Sequence, residues 1–271
     1  MDFSFTQQQM RALAQVLRCA ESLEFPVEMR RFLKEQLSFS TFLIVIFPPS
    51  QAPRSVYHWI PDAKLDGVFR TQYFQGAFLL DPFYQLSRNS FDDDAHRLRD
   101  IAPDRFFSSE YYRKYYGETD LIDEVGFLAR LSNEHVAHLS ISRSKTDQLF
   151  NRKECSYLHQ LAPLLAELMR QHCEWIYDTD PQSSPEAIHR PLDKIIYDFA
   201  LSLKPGGLTT REAEITALIL QGHSNSSASL VLGISKGTTK VHRRNIHRKL
   251  DISSQAELFA TFSPALSSGP K

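Results

Sequence analysis

The chain has 271 residues, of which 42% are hydrophobic, and its formal net charge is −1 at pH 7. This length and composition allow a sizeable buried core, favour one larger and one smaller domain, and exclude a disordered protein. A nearly neutral chain is not a general polyanion binder either, so binding to nucleic acid would require a local basic patch.

The first residues, MDFSFTQQQMRALAQVL, predict a helix and lack the basic and apolar regions of a signal peptide. Because no run of eighteen apolar residues occurs, we expect no transmembrane helix and a cytoplasmic protein. The three cysteines, Cys19, Cys155 and Cys173, form no CxxC pair. Their odd number argues against a disulfide framework, so we expect inert thiols, no metal and no cofactor.

Four segments rich in aliphatic and β-branched residues predict strands, at 41–47, 54–60, 124–132 and 135–144. Short connections separate the members of each pair, which favours two antiparallel hairpins. Helical and irregular character fills the stretch between the pairs, and apolar spacing over 151–177 predicts one long helix. This order predicts an α+β protein whose first domain is an α/β/α sandwich around an antiparallel sheet, as in GAF- and PAS-like sensor domains.

The composition changes at DTDPQSSPEAIHRP, residues 178–191, where Pro, Ser and acidic residues interrupt the hydrophobic pattern. We interpret this segment as a linker, followed by a short amphipathic helix over 192–203. These breaks predict a regulatory domain at 1–177, a linker with a short helix at 178–205, a second domain at 206–263 and a tail at 264–271.

Helix signals become regular from residue 208 onward. Thr209 and Glu212 have the spacing of a capping box, and Gly222 suits the position after the end of that helix. Ser224 and Ser235 can cap two further helices, which only GIS connects, and SSQAELFATF predicts a fourth. Two short helices joined so closely, the second of them basic, predict a helix-turn-helix.

The third of these helices contains GTTKVHRRNIHRKL, which has five Lys or Arg, two His and no carboxylate. One interpretation is a solvated helix face. Helical spacing, however, separates an inward set, Thr239, Ile246 and Leu250, from a displayed stripe of Lys240, Val241, Arg244 and Arg248. The positive charge is therefore arranged on one face, as binding to DNA requires.

Residues 208 to about 260, roughly a fifth of the chain, resemble the LuxR/FixJ-type (GerE) DNA-binding domain. The positions that agree in order and spacing are Leu208, Thr209, Arg211, Glu212, Glu214, Gly222, Ser224, Asn225, Leu232, Gly233, Ile234, Ser235, Gly237, Thr238, Lys240, His242, Ile246, Lys249 and Leu250. The chain departs from the family at Ala228-Ser229, where an Ile-Ala pair is usual, and at Thr239, where Val is usual. Both departures shrink or polarise the small core, at a cost of about 1 kcal/mol.

The resemblance implies that Lys240, Val241 and Arg244 face base edges in the major groove. It also implies a set of phosphate contacts, for which the candidates are Ser224, Asn225, Thr238, Arg243, His247, Arg248 and Lys249. His242 is expected to pack against the domain. A metal site at His242 and His247 is not expected, because no Cys or carboxylate lies at ligand spacing.

FixJ-type members carry a receiver domain with an acidic pair near the end of its first strand. The acidic run Asp92–Asp94 follows no predicted strand, so control by phosphorylation is not expected. LuxR-type members carry a ligand-binding α/β sandwich instead, and YFQGAFLLDPFY at 73–84 resembles the Tyr and Asp-Pro segment of their acyl-homoserine-lactone pocket. Its spacing is one residue short, and Phe69 stands where Trp is usual, which argues against an acyl-homoserine lactone as the effector.

Asp81 has two possible roles that the sequence leaves open. It can cap a helix that starts at Pro82. It can also accept a hydrogen bond from a ligand amine or amide. The expected ligand-binding residues are Tyr57, Trp59, Tyr73, Phe78 and Asp81.

No GxSxG, HExxH, P-loop or GxGxxG motif occurs, so an enzyme is not expected. The sequence predicts a ligand-responsive transcriptional regulator that binds an inverted repeat in double-stranded DNA as a homodimer, with a small-molecule effector and with RNA polymerase as a further candidate partner. In the alternative, the first domain is a protein-interaction or dimerisation module without a small-molecule ligand.

Overall fold

The computed structural model describes residues 5–49, 51–132, 134–179, 191–203 and 206–267. These residues belong to two compact units. The first comprises 1–66, 86–101 and 120–186, and the second comprises 67–85, 102–119 and 187–271. Residues 180–190 and 204–205 of the predicted linker, residues 268–271 of the predicted tail, and Asn133 in the second predicted hairpin lie outside the described residues.

The sheet belongs to the first unit and has five strands, β1 (Thr41–Phe47), β2 (Arg54–Trp59), β3 (Ala95–Arg97), β4 (Leu121–Arg130) and β5 (Val136–Ser144). Their order is β2-β1-β5-β4-β3, and every neighbouring pair is antiparallel. Both predicted hairpins are confirmed, β1 with β2 and β4 with β5. The short edge strand β3 was not predicted.

Twelve α-helices occur in the described residues. They are α1 (Gln7–Arg18), α2 (Phe25–Lys34), α3 (Ala63–Val68), α4 (Pro82–Ser87), α5 (Leu98–Ile101), α6 (Gly117–Thr119), α7 (Arg152–Thr179), α8 (Leu192–Leu203), α9 (Thr210–Gln221), α10 (Asn225–Val231), α11 (Lys236–Leu250) and α12 (Gln255–Ser267). The structure confirms the long helix predicted over 151–177, which continues through Pro163. The described residues also include two π-helices, Phe69–Tyr73 and Tyr112–Tyr116, and two 3-10 helices, Ala77–Leu80 and Phe106–Ser108.

The core of the first unit lies between one face of the sheet and helices α1, α2 and α7. Alternate residues of β5, such as Leu139 and Ile141, enter this core. Because successive side chains of a strand point to opposite faces, His138 and Ser140 lie on the other face, where both are buried. The sheet therefore has one apolar face and a second face with buried polar groups.

From residue 191 onward, the described residues of the second unit form the five helices α8 to α12. The antiparallel sheet with N-terminal helices, together with this helical region, confirms the α+β class. No helix in the described ranges has the length and apolar content needed to cross a membrane. Within the same ranges, no three His, Cys, Asp or Glu side chains are grouped to hold a metal ion, and Cys19, Cys155 and Cys173 are free thiols.

Candidate nucleic-acid interface and ligand site

Helices α9, α10 and α11 begin at the caps that the sequence predicted. The Thr209 hydroxyl accepts from the Glu212 N–H while the Glu212 carboxylate accepts from the Thr209 N–H, a complete capping box. Ser224 and Ser235 cap α10 and α11 in the same way, through side-chain oxygens that accept backbone N–H groups. Gly222 ends α9 with φ 98°, a left-handed conformation that suits glycine. The start and direction of each helix are therefore specified locally.

Helix α11 has a buried side and a displayed side. Thr239 and Ile246 have no exposed surface, whereas Lys240, Val241 and Arg244 are exposed. Val241 leaves 46% of its surface in solvent, although an apolar side chain lowers the free energy of the protein when it is buried. The inward and outward sets are therefore those that helical spacing predicted, except that Leu250 is only partly buried.

Lys249, one of the predicted phosphate contacts, forms an ion pair inside the domain. Its Nζ lies 2.6 Å from Oε2 of Glu212, and the Glu212 side chain leaves only 4% of its surface exposed. Burial raises the pKa of Glu212, but hydrogen bonds from Lys249 and Thr209 outweigh that effect and bring the pKa below its usual range. This pair ties α11 to the capping box of α9.

Arg243 and Asn225, two other predicted phosphate contacts, lie close to each other. Arg243 Nη1 donates to Asn225 Oδ1 at 3.4 Å, and Nη2 donates to Gln255 Oε1 at 3.5 Å. Burial and the charge of Arg105 lower the pKa of Arg243, and burial and the charge of Arg243 lower the pKa of His247. Arg243 and His247 thus lie on a half-buried flank of α11.

The remaining predicted phosphate contacts are Ser224, Thr238 and Arg248. The Thr238 hydroxyl lies 2.8 Å from the Ser235 hydroxyl. Exposed Arg248 donates to Asn245 one turn earlier, at 3.2 Å. Ser224 is bonded to a carboxylate that lies outside helices α9 to α12 in sequence. Its N–H donates to Asp104 Oδ1 at 2.9 Å.

The Tyr73 and Asp81 pair lies in the second unit. The Tyr73 hydroxyl donates to Asp81 Oδ2 at 2.6 Å, and the Phe83 N–H donates to Asp81 Oδ1 at 2.9 Å. Burial raises the pKa of Asp81 to about 6, although these hydrogen bonds oppose it. The ring of Phe78 lies 6.3 Å from that of Tyr73. Asp81 therefore caps α4, as the sequence allowed, and holds a buried tyrosine as well.

Tyr57 and Trp59, the other two predicted ligand contacts, belong to the first unit. Trp59 meets the edge of Phe39 at 6.3 Å, and Tyr57 packs against Phe42 at 6.0 Å. The Arg30 guanidinium lies 4.7 Å from the Trp59 ring. These contacts place both residues against the helix-side core of the first unit, whereas Tyr73, Phe78 and Asp81 lie together in the second unit.

Polar residues on the second face of the sheet were missed in the sequence. Ser140 donates a hydrogen bond to Glu124, and both residues are buried. Burial, with a smaller contribution from the charge of His96, lowers the pKa of neighbouring His138 to about 3. The signal that could have revealed this face is the alternation of His138, Ser140 and Ser142 with apolar residues in β5.

The sequence model of the family described as "Bacterial regulatory proteins, luxR family" matches residues 207–262. A protein of Aeromonas salmonicida described as an HTH-type transcriptional regulator in the exeN 3'region is 28% identical over 190 residues, 70% of this chain and 96% of the relative. The transcriptional activator protein CarR of Pectobacterium carotovorum subsp. carotovorum is 25% identical over 233 residues, 83% of this chain and 86% of CarR.

Among solved structures, the LBD domain of VqsR from Pseudomonas aeruginosa matches with a TM-score of 0.54 and 23% identity. The match covers 63% of this chain and 99% of that domain, and at this identity it indicates a shared fold. The family match includes the capped helices α9 to α11 and the displayed stripe on α11. Residues 207–262 of this chain are therefore a helix-turn-helix domain of the luxR family of bacterial regulatory proteins.

Proposed function

We propose that this protein is a ligand-responsive transcriptional regulator that binds a specific operator in double-stranded DNA. The observation that carries the proposal is the exposed stripe of Lys240, Val241 and Arg244 on α11, a helix with a serine cap at its start and a buried opposite side. An Arg fork suits guanine O6 and N7, and an apolar side chain suits the thymine methyl group. Exposed Val241 fits such a role better than a solvated surface.

The phosphate contacts of the proposed complex flank this stripe. Ser224 caps α10 and Asn225 begins it, Thr238 lies in the first turn of α11, and later positions of α11 hold Arg243, His247, Arg248 and Lys249. Arg248 is exposed, whereas Lys249 is paired with the Glu212 carboxylate inside the domain, so we expect Arg248 to contribute more to binding than Lys249. Phosphate contacts orient the protein on the duplex without reading its sequence.

The proposed DNA-bound form is a homodimer. One helix-turn-helix domain of this size offers only a small interface with DNA. Dimers with two-fold symmetry bind inverted half-sites about one turn of the DNA helix apart. Selection of duplexes from a random pool by the full-length protein should therefore yield an inverted repeat. Enrichment of a single half-site would contradict the dimer.

The operator recovered by that selection also tests α11. Arg244→Ala should weaken binding by about 1–3 kcal/mol on the operator and relax preference at one base pair. Arg248→Ala should weaken operator and unrelated duplexes alike. Exposed Arg11, on α1 in the first unit, gives a control of equal charge change. If Arg11→Ala and Arg244→Ala behave alike in anisotropy titrations, α11 does not read the bases.

The proposed effector is a small molecule with an amine or amide whose N–H donates a hydrogen bond to the Asp81 carboxylate, beside Tyr73. A buried carboxylate gains from a cationic or hydrogen-bonding partner, and Phe78 adds an apolar neighbour. Thermal-shift screening of amines and amides should identify it, because a ligand in excess raises the melting temperature. Asp81→Asn should then lose about 2–5 kcal/mol of affinity for a cationic hit in calorimetry. Absence of hits would favour a protein-interaction module.

A further inference from the structure

A segment far from the helix-turn-helix in sequence contacts the start of that motif in the second unit. The Arg105 N–H donates to the Gly222 carbonyl at 2.9 Å, and Asp104 Oδ1 accepts from the Ser224 N–H at 2.9 Å. A Cβ at Gly222 would lie 2.7 Å from Phe106 Cα. The backbone of residues 104–106 is therefore anchored on the turn between α9 and α10.

This anchoring places a further arginine beside the proposed phosphate contacts. The exposed Arg105 is bonded through its N–H to Gly222, three residues before Asn225, and Asn225 accepts a hydrogen bond from Arg243. In keeping with this placement, burial and, to a smaller extent, the charge of Arg105 lower the pKa of Arg243. Arg243 in turn bonds Asn225 at the start of α10 and acts on His247 one turn along α11. Arg105, Arg243 and His247 form a group of basic side chains, which we call the basic flank.

The acids near the basic flank accept hydrogen bonds from serines and form no ion pair with Arg243 in the described residues. Asp104 is held by Ser224, and Glu257, which acts on His247, accepts hydrogen bonds from Ser253 and Ser254. Among the described residues, Arg243 bonds amide oxygens and pairs with no carboxylate. Nearby like charges repel one another, and an anion bound between them offsets this repulsion. A DNA duplex supplies such anions as a row of phosphates.

We propose that Arg105 contacts the DNA backbone together with Arg243, so that a residue outside the helix-turn-helix domain extends its phosphate-binding surface. The proposal rests on the proposed DNA-binding function. It adds a contact that carries no sequence information, since a guanidinium on a phosphate does not distinguish bases. Asp104 and the Gly222 carbonyl fix the backbone from which Arg105 extends.

The expected effect follows from counterion release. Each phosphate neutralised contributes about 0.9 to the steepness of the plot of log affinity against log salt concentration. Relative to about 1 M salt, this contribution strengthens binding roughly eightfold at 0.1 M salt. Arg105→Ala should therefore bind the operator and unrelated duplexes roughly eightfold more weakly at 0.1 M salt, with a slope smaller by about 0.9. Arg105→Lys should keep most of the slope, because it keeps the charge.

The experiment titrates the full-length protein with fluorescent operator and scrambled duplexes at several sodium chloride concentrations. Arg11→Ala is the matched control and should leave the slope unchanged, and circular dichroism melting establishes that each variant is folded. An Arg105→Ala protein with unchanged affinity and slope overturns the proposal. Tighter binding also overturns it, because segment 104–106 would then obstruct the duplex.

Arg244→Ala in the same titrations separates this proposal from the proposed function. If Arg244→Ala weakens operator binding and Arg105→Ala changes nothing, only the contribution of Arg105 is refuted. If the wild-type protein does not distinguish operator from scrambled duplex, the proposed function fails as well.

Discussion

Replacement of Asp81 by Asn should change how stability depends on pH. The carboxyl pKa of about 6, against an ordinary 3.8, means that folding favours the protonated form. Stability from this group is therefore fully present below about pH 4 and is lost as pH rises through 6. At about 1.4 kcal/mol per unit of pKa, ionised Asp81 makes the folded protein about 3 kcal/mol less stable at neutral pH.

Asn cannot ionise, and its carbonyl oxygen can accept from either the Tyr73 hydroxyl or the Phe83 N–H. Loss of one of these hydrogen bonds costs about 0.5–1.5 kcal/mol at every pH. The unfolding free energy of Asp81→Asn minus that of the wild type should thus rise by up to about 3 kcal/mol between pH 4 and pH 7.5. His138 and other titrating groups occur in both proteins and cancel in the difference.

The assay is urea unfolding followed by far-ultraviolet circular dichroism at half-unit steps of pH. Tryptophan fluorescence is unsuitable, because Trp59 and Trp175 both lie in the first unit and Asp81 lies in the second. Tyr73→Phe is the companion variant. It removes a hydrogen bond that lowers the pKa of Asp81, so the transition should move to higher pH. A difference that stays flat across this range would refute a buried, perturbed carboxyl.

Three further predictions concern stability. Gly222→Ala should cost several kcal/mol because its φ is 98° and a Cβ there meets backbone at 2.7 Å, whereas Gly233→Ala, with φ 63° and open space, should cost only about 1–2 kcal/mol in thermal melts. Lys249→Met should cost about 1–3 kcal/mol in urea unfolding, because the Glu212 carboxylate loses its cation and keeps only its hydrogen bonds from Thr209; a neutral effect would mean that this pair is solvated. Burial lowers the pKa of His138 to about 3, so the stability it contributes above pH 6.5 is lost toward pH 3, and His138→Gln should be less acid-sensitive than the wild type in the same unfolding assay.

The helix-turn-helix could be predicted because its signals are local. A serine or threonine cap acts within three residues, so Thr209, Ser224 and Ser235 can be read directly from the chain. Gly222 supplies the left-handed conformation that ends α9. The α+β class followed likewise from strands whose composition differs from that of the helices around them.

Long-range contacts had no such signal. Strand β3 is three residues long, too short for a pattern of alternation, and it depends on pairing with β4. The contact between Asp104 and Ser224 joins residues 120 apart in sequence. Alternation could not assign a face to Tyr57 either, because the register of β1 and β2 shifts between Ile44 and Val45.

The second unit contains both the Tyr73 and Asp81 pair and the helices that we propose bind DNA. If a ligand at Asp81 alters the operator affinity of this unit by some factor, thermodynamic reciprocity requires the operator to alter ligand affinity by the same factor. Protein already on the operator would then respond at a different effector concentration from protein in free solution. The concentration at which a promoter switches would accordingly depend on how fully its operator is occupied.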